Sequence, residues 1–131
     1  MGSVLLTDKR VVITGAARGL GRGFAEAALD GGAHVVIADI LEDRGRATAE
    51  ELSAVGEVSF IHVDLADPAS IEALAAAAEK SLGGVDGLIN CAAIATGIGG
   101  KMADEIDIET WDRVMTVNVR GTWLAVKAFS P

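Results

Sequence analysis

An α/β fold with a parallel, doubly wound sheet is predicted by three features of this sequence. Four short apolar segments alternate strictly with four helical ones along 131 residues, an order typical of parallel sheets with right-handed crossovers. The apolar segments are almost continuously hydrophobic, as expected where helices cover both faces of a sheet. Glycine follows three of the helical segments, and glycine readily ends helices. The length and the 50% hydrophobic content suit one domain with a single core.

The expected strands and helices follow one another in a simple β-then-α order. The strands are predicted at Arg10 to Thr14, Ala33 to Ala38, Val58 to Val63 and Gly87 to Asn90. The helices are predicted at about Leu20 to Asp30, Glu42 to Ala54, Ser70 to Leu82 and Thr110 to Phe129. Asp67-Pro68 supplies a helix cap and a proline at the first helical position, which favours a helix start there.

Charge and cysteine content narrow the classes of partner. The net charge is -8, and the 11 basic residues are scattered, which argues against binding nucleic acid or an anionic membrane.

Cys91 is the single cysteine, so no intrachain disulfide forms and a reducing, cytoplasmic compartment is expected. The first residues lack the pattern of a secretory signal. His34 and His62 are interpreted as strand residues, and no metal site is predicted.

The segment Thr14-Gly15-Ala16-Ala17-Arg18-Gly19-Leu20-Gly21 joins the first strand to the first helix. Glycine at the turn, at the approach of a phosphate and at the helix–strand contact is the pattern of a dinucleotide-binding site. The unpaired N–H groups at the helix start would face the phosphates. The alternative is a plain strand-to-helix connection. With the alternating elements, this pattern predicts a Rossmann-type sheet.

A carboxylate at the end of the second strand predicts the cofactor type. Asp39 lies 18 positions after Gly21, where it can accept hydrogen bonds from both ribose hydroxyls. A 2′-phosphate would meet its negative charge, so NAD is favoured over NADP. Arg18 could instead meet a 2′-phosphate, but Ile40 supplies no second basic residue, and Arg18 is interpreted as solvent-exposed or in contact with backbone. The alternative for Asp39 is a cap on the next helix.

Further residues extend this pattern along the chain: Asp64-Leu65 follow the third strand, Asn90-Cys91-Ala92-Ala93 follow the fourth, and Asn118 lies in the last helix. With the glycine-rich turn, they resemble the short-chain dehydrogenase/reductase family over the whole chain. The resemblance implies a catalytic role for Asn118, which would help to hold a water in the proton relay. It implies cofactor contacts at Gly15, Arg18, Gly19, Leu20, Gly21, Asp39, Ile40, Asp64, Leu65, Asn90 and Ala92.

The sequence departs from the family pattern in two places. Cys91 and Ala93 replace an asparagine and a glycine of the family's motif after the fourth strand. More importantly, the chain contains no tyrosine, whereas the family uses a tyrosine acid/base, a lysine four residues later and a serine. Lys127 and Ser130 do not fit those positions. We therefore expect residues 1–131 to be an incomplete domain, with the sheet truncated after the fourth strand and its following helix.

The leading hypothesis is an oxidoreductase that moves a hydride between NAD and an alcohol or ketone, with this chain supplying the cofactor site. A non-catalytic dinucleotide-binding module, or a subunit completed by another chain, is the alternative. A protein that binds FAD or S-adenosylmethionine fits the glycine spacing less well. Family strand order, 3-2-1-4, predicts Gly87 to Asn90 at one edge of the sheet. Trp111 and Trp123 are expected in the core or in a homo-oligomer interface.

Overall fold

The fold is a four-stranded parallel sheet with helices on both faces, and the computed structural model describes residues 5–131. The elements are, in order, β1 (Arg10–Thr14), α1 (Gly19–Asp30), β2 (His34–Asp39), α2 (Glu42–Leu52), β3 (Val58–His62), α3 (Pro68–Leu82), β4 (Gly87–Asn90), a 3₁₀ helix (Ala103–Glu105), α4 (Ile108–Met115), a π-helical segment (Thr116–Gly121) and α5 (Thr122–Phe129). None of the helices in this range combines the length and apolar character that crossing a bilayer requires.

The strand order β3-β2-β1-β4 is the one expected from the sequence. β1 is central, and its Val12 lies opposite Val36 of β2 and Leu88 of β4. β1 and β4 have the predicted bounds, while β2 and β3 shift by one residue at one or both ends. Among residues 5–131, β4 pairs with β1 alone. It therefore forms one edge of this sheet, as predicted.

Successive side chains of the central strands serve two different cores. Val11, Ile13, Val35 and Ile37 pack with α1 and α2 on one face. Their neighbours along the chain face α3 and α5, where the fully buried Leu74 lies. Because both faces are covered, the strands need apolar residues at every position, which explains the continuous hydrophobic runs in the sequence.

The Arg10 side chain, whose hydrogen bonds are called here the arginine fork, joins the start of β1 to the loop before β4. The Arg10 guanidinium binds both carboxylate oxygens of Asp86, each at 3.0 Å, and donates to the Gly83 carbonyl at 2.7 Å. The Arg10 backbone N–H also donates to Asp86, at 2.9 Å. These hydrogen bonds favour the charged carboxylate and hold the pKa of Asp86 well below its usual range. The fork lies at the opposite end of β1 from the glycine-rich turn.

The last helical region differs from the single helix predicted between Thr110 and Phe129. It begins at Ile108, with Asp107 as a side-chain cap on the Thr110 N–H, and a π-helical segment interrupts it. At the end of that segment lies Gly121, where a Cβ atom would come within 2.7 Å of the Leu65 carbonyl oxygen. Wider helical turns are not encoded by hydrophobic spacing alone, and they occur often at functional sites.

Candidate functional site

The predicted site residues converge because all four strands are parallel. Gly15, Asp39, Asp64 and Asn90 each stand at or just after the carboxyl end of a strand. Carboxyl ends of parallel strands share one edge of the sheet, and ligands of open α/β sheets bind there. The order of β1 between β2 and β4 also places the glycine-rich turn in the middle of this edge.

The three glycines of the turn meet different steric demands. Gly15 has a φ of +68°, and a Cβ there would lie 2.6 Å from the Ala92 Cα. A Cβ on Gly21 would collide with the Gly15 carbonyl and stand 2.9 Å from the Ala16 Cα. Gly19 has a φ of +62° and open space around its missing Cβ. The protein thus leaves no room for a side chain at Gly15 and Gly21, and it leaves free space beside Gly19 where a ligand could lie.

The amino end of α1 is available to an anion. Arg18 occupies the cap position in extended conformation, and its side chain caps none of the helix N–H groups. The first turn of α1 carries no acidic residue, and the exposed Leu20 leaves its backbone close to solvent. Unpaired N–H groups and the helix dipole attract phosphate at such a position. The surroundings therefore fit a pyrophosphate.

The N–H and the carbonyl of Ala17 are both hydrogen-bonded to buried side chains. Asp39 accepts a hydrogen bond from the Ala17 N–H at 3.0 Å, and the Thr48 hydroxyl donates to the Ala17 carbonyl at 2.6 Å. Thr48 lies on α2 and is fully buried. Sequence reasoning missed Thr48, because a threonine inside a helix has no motif to mark it. These two bonds fix the middle of the glycine-rich turn to β2 and α2.

Both carboxylate oxygens of Asp39 are hydrogen-bonded to the backbone. Its second carboxylate oxygen accepts from the Leu41 N–H at 3.0 Å, just before α2 begins. A carboxylate offers about four acceptor positions, and these backbone bonds use two of them. Neighbouring Ile40 and Arg18 are exposed, in agreement with the interpretation of Arg18 as solvent-facing. A ribose could therefore hydrogen-bond to a carboxylate whose orientation is already set.

Thr14 joins the glycine-rich turn to the end of β4. Its buried hydroxyl accepts from the backbone N–H groups of Cys91 and Ala92, at 3.2 and 3.3 Å. The exposed Asn90 and the half-buried Ala92 are therefore held beside Gly15. Replacement of the family's asparagine by Cys91 leaves this link intact, since the link uses only backbone atoms of the β4 side.

The loop after β3 is stabilised locally. The Asp64 N–H donates to Ser70 Oγ at 2.9 Å, and the Asp64 carboxylate accepts from the Ala66 N–H at 2.9 Å. The Leu65 side chain is buried in the core with α3 and α5. A ligand at this loop would therefore meet the backbone of Leu65, and Ser70 is a second positioning residue that the sequence did not reveal.

Asn118 fixes the loop that follows β4. Its side-chain amide oxygen accepts from the Ile94 N–H at 2.7 Å, and its amide nitrogen donates to the Ile94 carbonyl at 2.9 Å. Asn118 lies within the π-helical segment. Its side chain thus holds the loop backbone through both amide atoms.

Several other titratable residues stay outside this edge of the sheet. Lys127 lies over the Trp123 ring at 5.4 Å, and the Ser130 hydroxyl donates to the Val126 carbonyl. His34 pairs with Glu57 at 2.6 Å, at the start of β2.

The geometry resembles that of dinucleotide-binding α/β proteins, because a glycine turn opens a helix, a carboxylate ends β2, and two further loops flank the turn. A sequence model described as "short chain dehydrogenase" matches residues 9–131. The chain belongs to this family.

Relatives and solved structures support the same conclusion. The chain is 38% identical to trans-4-hydroxycyclohexanecarboxylate dehydrogenase of Sinomonas cyclohexanicum, over 96% of this chain and 50% of that protein. It is 39% identical to galactitol 2-dehydrogenase of Agrobacterium fabrum, over 95% and 47%. A short-chain dehydrogenase structure from Mycobacterium smegmatis superposes with a TM-score of 0.90 and 32% identity, covering 97% of this chain and 52% of that one. The chain thus spans about half the length of the relatives it matches.

A structure described as an active-site complex of Pseudomonas aeruginosa RhlG with NADP also matches. Its TM-score is 0.85 and its identity is 27%, over 100% of this chain and 49% of that one.

Proposed function

We propose that this chain provides the NAD site of an oxidoreductase that transfers a hydride between the nicotinamide and an alcohol or ketone carbon. The observation that carries the proposal is the glycine-rich turn, which has free space beside Gly19 and no room for a side chain at Gly15 and Gly21. Membership in the short-chain dehydrogenase family supports the reaction class. A small-molecule substrate, a homo-oligomeric state and a cytoplasmic location belong to the same proposal.

Each part of the cofactor would meet a different element of the sheet edge. The pyrophosphate would lie at the start of α1, between Arg18 and Leu20, and Asp39 would accept hydrogen bonds from the adenosine ribose. The loops at Asp64 and Asn90 would flank the adenine and the rest of the dinucleotide. When bound, the nicotinamide supplies or accepts the hydride, and the protein supplies position. Asn118 holds the loop after β4 through its hydrogen bonds to Ile94.

Asp39 favours NAD over NADP in this proposal. Its carboxylate is 8% exposed and already oriented by two N–H groups. Two like charges about 4 Å apart near a protein surface repel by roughly 4 kcal/mol, and the exposed Arg18 offsets only part of this because solvent screens its charge. We therefore expect NAD to bind at least about tenfold more tightly than NADP, a difference of roughly 1.4 kcal/mol.

The test is a titration of NAD and NADP against the native chain, Asp39→Asn and Asp43→Asn. Asp39→Asn should narrow or reverse the preference because the charge is removed. Asp43→Asn is the control, since Asp43 lies four positions away on the exposed face of α2 and should keep the native preference. Equal or tighter binding of NADP by the native chain would contradict the assignment of Asp39.

A second candidate is a dinucleotide-binding module without catalysis, or a subunit completed by another chain. General acid/base assistance is typically worth about 10²–10⁴ in rate, and the chain has no tyrosine to provide it in the family manner. We expect residues 1–131 alone to bind cofactor yet show no turnover with a panel of secondary alcohols. Turnover at ordinary enzymatic rates would exclude the module, whereas turnover only after addition of a second polypeptide would identify a completed subunit.

A further inference from the structure

The π-helical segment Thr116–Gly121 contacts the loop after β3 at two places. The Arg120 guanidinium donates through Nη2 to the Ala66 carbonyl at 2.8 Å. A Cβ on Gly121 would come within 2.7 Å of the Leu65 carbonyl oxygen, so the backbone of the segment lies directly against the loop. Arg120 and Ala66 are 54 positions apart, and the folded sheet brings them together.

The bond from Arg120 supplies what the loop's own hydrogen bonds do not. The Asp64 carboxylate accepts from the Ala66 N–H, the Asp64 carbonyl accepts from the Asp67 N–H at 3.1 Å, and Asp67 caps α3. These bonds join residues that are close along the chain. Within residues 5–131, Arg120 is the one distant side chain that hydrogen-bonds to residues 64–67. The position of the loop relative to the last helical region therefore depends on it.

Arg120 lies on the exposed side of the last helical region, among side chains that face solvent. Trp111 and Trp123 are each 58% exposed, so both lie outside the core. Arg120 is exposed as well, yet its guanidinium is directed back to the Ala66 carbonyl. A charged donor makes a stronger hydrogen bond than a neutral one. The side chain is thus held in one direction by a specific acceptor.

The loop presents its backbone, not its side chains, to the edge of the sheet. The Leu65 side chain is 5% exposed and packs in the core that contains Ala125. A ligand at this loop would therefore meet peptide groups, whose positions are set by the contacts of Arg120 and Gly121. The same π-helical segment also holds the loop after β4, through Asn118. One segment thus supports both loops that flank the glycine-rich turn.

We propose that Arg120 is a positioning residue for the adenosine end of the cofactor: its bond to the Ala66 carbonyl holds residues 64–67 in the place where they bind adenine. This role rests on the proposed function of the sheet edge. A loop that is already ordered loses less conformational entropy when a ligand binds. Removal of the bond should therefore weaken binding at the adenosine end and spare the nicotinamide end.

Titrations with the two halves of NAD test this role. Arg120→Ala should raise the Kd of AMP about three- to tenfold and leave the Kd of nicotinamide mononucleotide unchanged, because Arg120 contacts only the loop after β3. Arg120→Lys should restore most of the affinity for AMP, since lysine can also donate to a carbonyl. A loss of affinity that affected both nucleotides equally, or that lysine did not restore, would overturn the proposal.

Arg113→Ala is the matched control for charge. Arg113 is also an exposed arginine of the last helical region, and its removal changes the net charge by the same amount. Arg113→Ala should bind AMP as the native chain does, at low and at high salt. Equal losses in the two alanine variants that disappear at high salt would indicate general attraction of the phosphate and would refute a positioning role.

Hydrogen exchange tests the loop without any nucleotide. Arg120→Ala should speed exchange of the Ala66 and Asp67 N–H groups, while the Ile94 N–H, which Asn118 holds, should exchange as in the native chain. Thermal unfolding verifies that the variant folds. If the native chain bound no AMP, the proposed function itself would fail. If Arg120→Ala bound AMP as tightly as the native chain, or if exchange in residues 64–67 stayed native, this inference alone would be wrong.

Discussion

Removing the hydroxyl of Thr48 should loosen the glycine-rich turn without changing the shape of the core. Valine has nearly the same volume and a similar helix propensity, so Thr48→Val removes chiefly the 2.6 Å bond to the Ala17 carbonyl. Ala17 is fully buried, and water cannot replace the lost donor. The variant therefore tests whether α2 holds the turn in place.

The expected loss follows from the burial of the carbonyl. An acceptor left without a partner costs about 1–3 kcal/mol. For a chain of this size, each kcal/mol lowers the Tm by about 3–6 °C. Ala17 lies between Gly15 and Gly19, so greater mobility of the Ala17 backbone should also weaken NAD binding. We expect the Kd to rise roughly three- to tenfold, or up to 1.4 kcal/mol.

Chemical denaturation and NAD titration measure the two effects. Thr48→Ser is the matched variant, because it keeps the hydroxyl and loses a methyl group worth about 1 kcal/mol. We expect the serine variant to bind NAD as the native chain does, even though its stability falls. The reasoning would be refuted if Thr48→Val kept native stability and affinity, or if the serine variant lost affinity equally.

Two further substitutions test packing and pH dependence elsewhere in the chain. Gly21→Ala should lower the free energy of unfolding by about 1–3 kcal/mol, because the new Cβ collides with the Gly15 carbonyl. Gly23→Ala, which is open to solvent in the same helix, should raise the free energy of unfolding by about 0.5–1 kcal/mol. Thermal unfolding measures both changes, and equal effects would contradict the packing at Gly21. Asp86→Asn should lose stability at neutral pH, because the fork with Arg10 lowers the pKa of Asp86 in the folded state. That difference from the native chain should shrink as the pH falls below the ordinary carboxyl pKa of about 4, and a difference that stayed constant down to pH 2 would count against the fork.

The sheet and the turn could be predicted because their signals are local. Continuous apolar runs identified the strands, and β1 and β4 have the predicted bounds. The glycine spacing indicated the turn, whose Gly15 and Gly21 have no room for a side chain. In these segments each residue's neighbours along the chain determine its conformation, so pattern and structure agree.

The π-helical segment and the supports of the turn were missed for a different reason. Apolar residues before and after Thr116–Gly121 keep a helical spacing, which does not distinguish a π turn from an α turn. Thr48 lies 31 positions from Ala17. Asn118 was singled out by the sequence, but its bonds to Ile94, 24 positions away in the loop after β4, were not. Such pairs become visible only when α2 and the last helical region have packed on the sheet.

The backbone already holds the Asp39 carboxylate in one orientation. Sequence spacing suited both a ribose acceptor and a cap for α2, and the structure places the Leu41 N–H on one oxygen and the Ala17 N–H on the other. Each backbone bond restricts rotation of the carboxylate. A side chain that is already immobilised loses little conformational entropy when a ligand binds. If Asp39 binds the ribose as proposed, a variant that keeps the charge but shifts the carboxylate, such as Asp39→Glu, should bind NAD more weakly than the native chain.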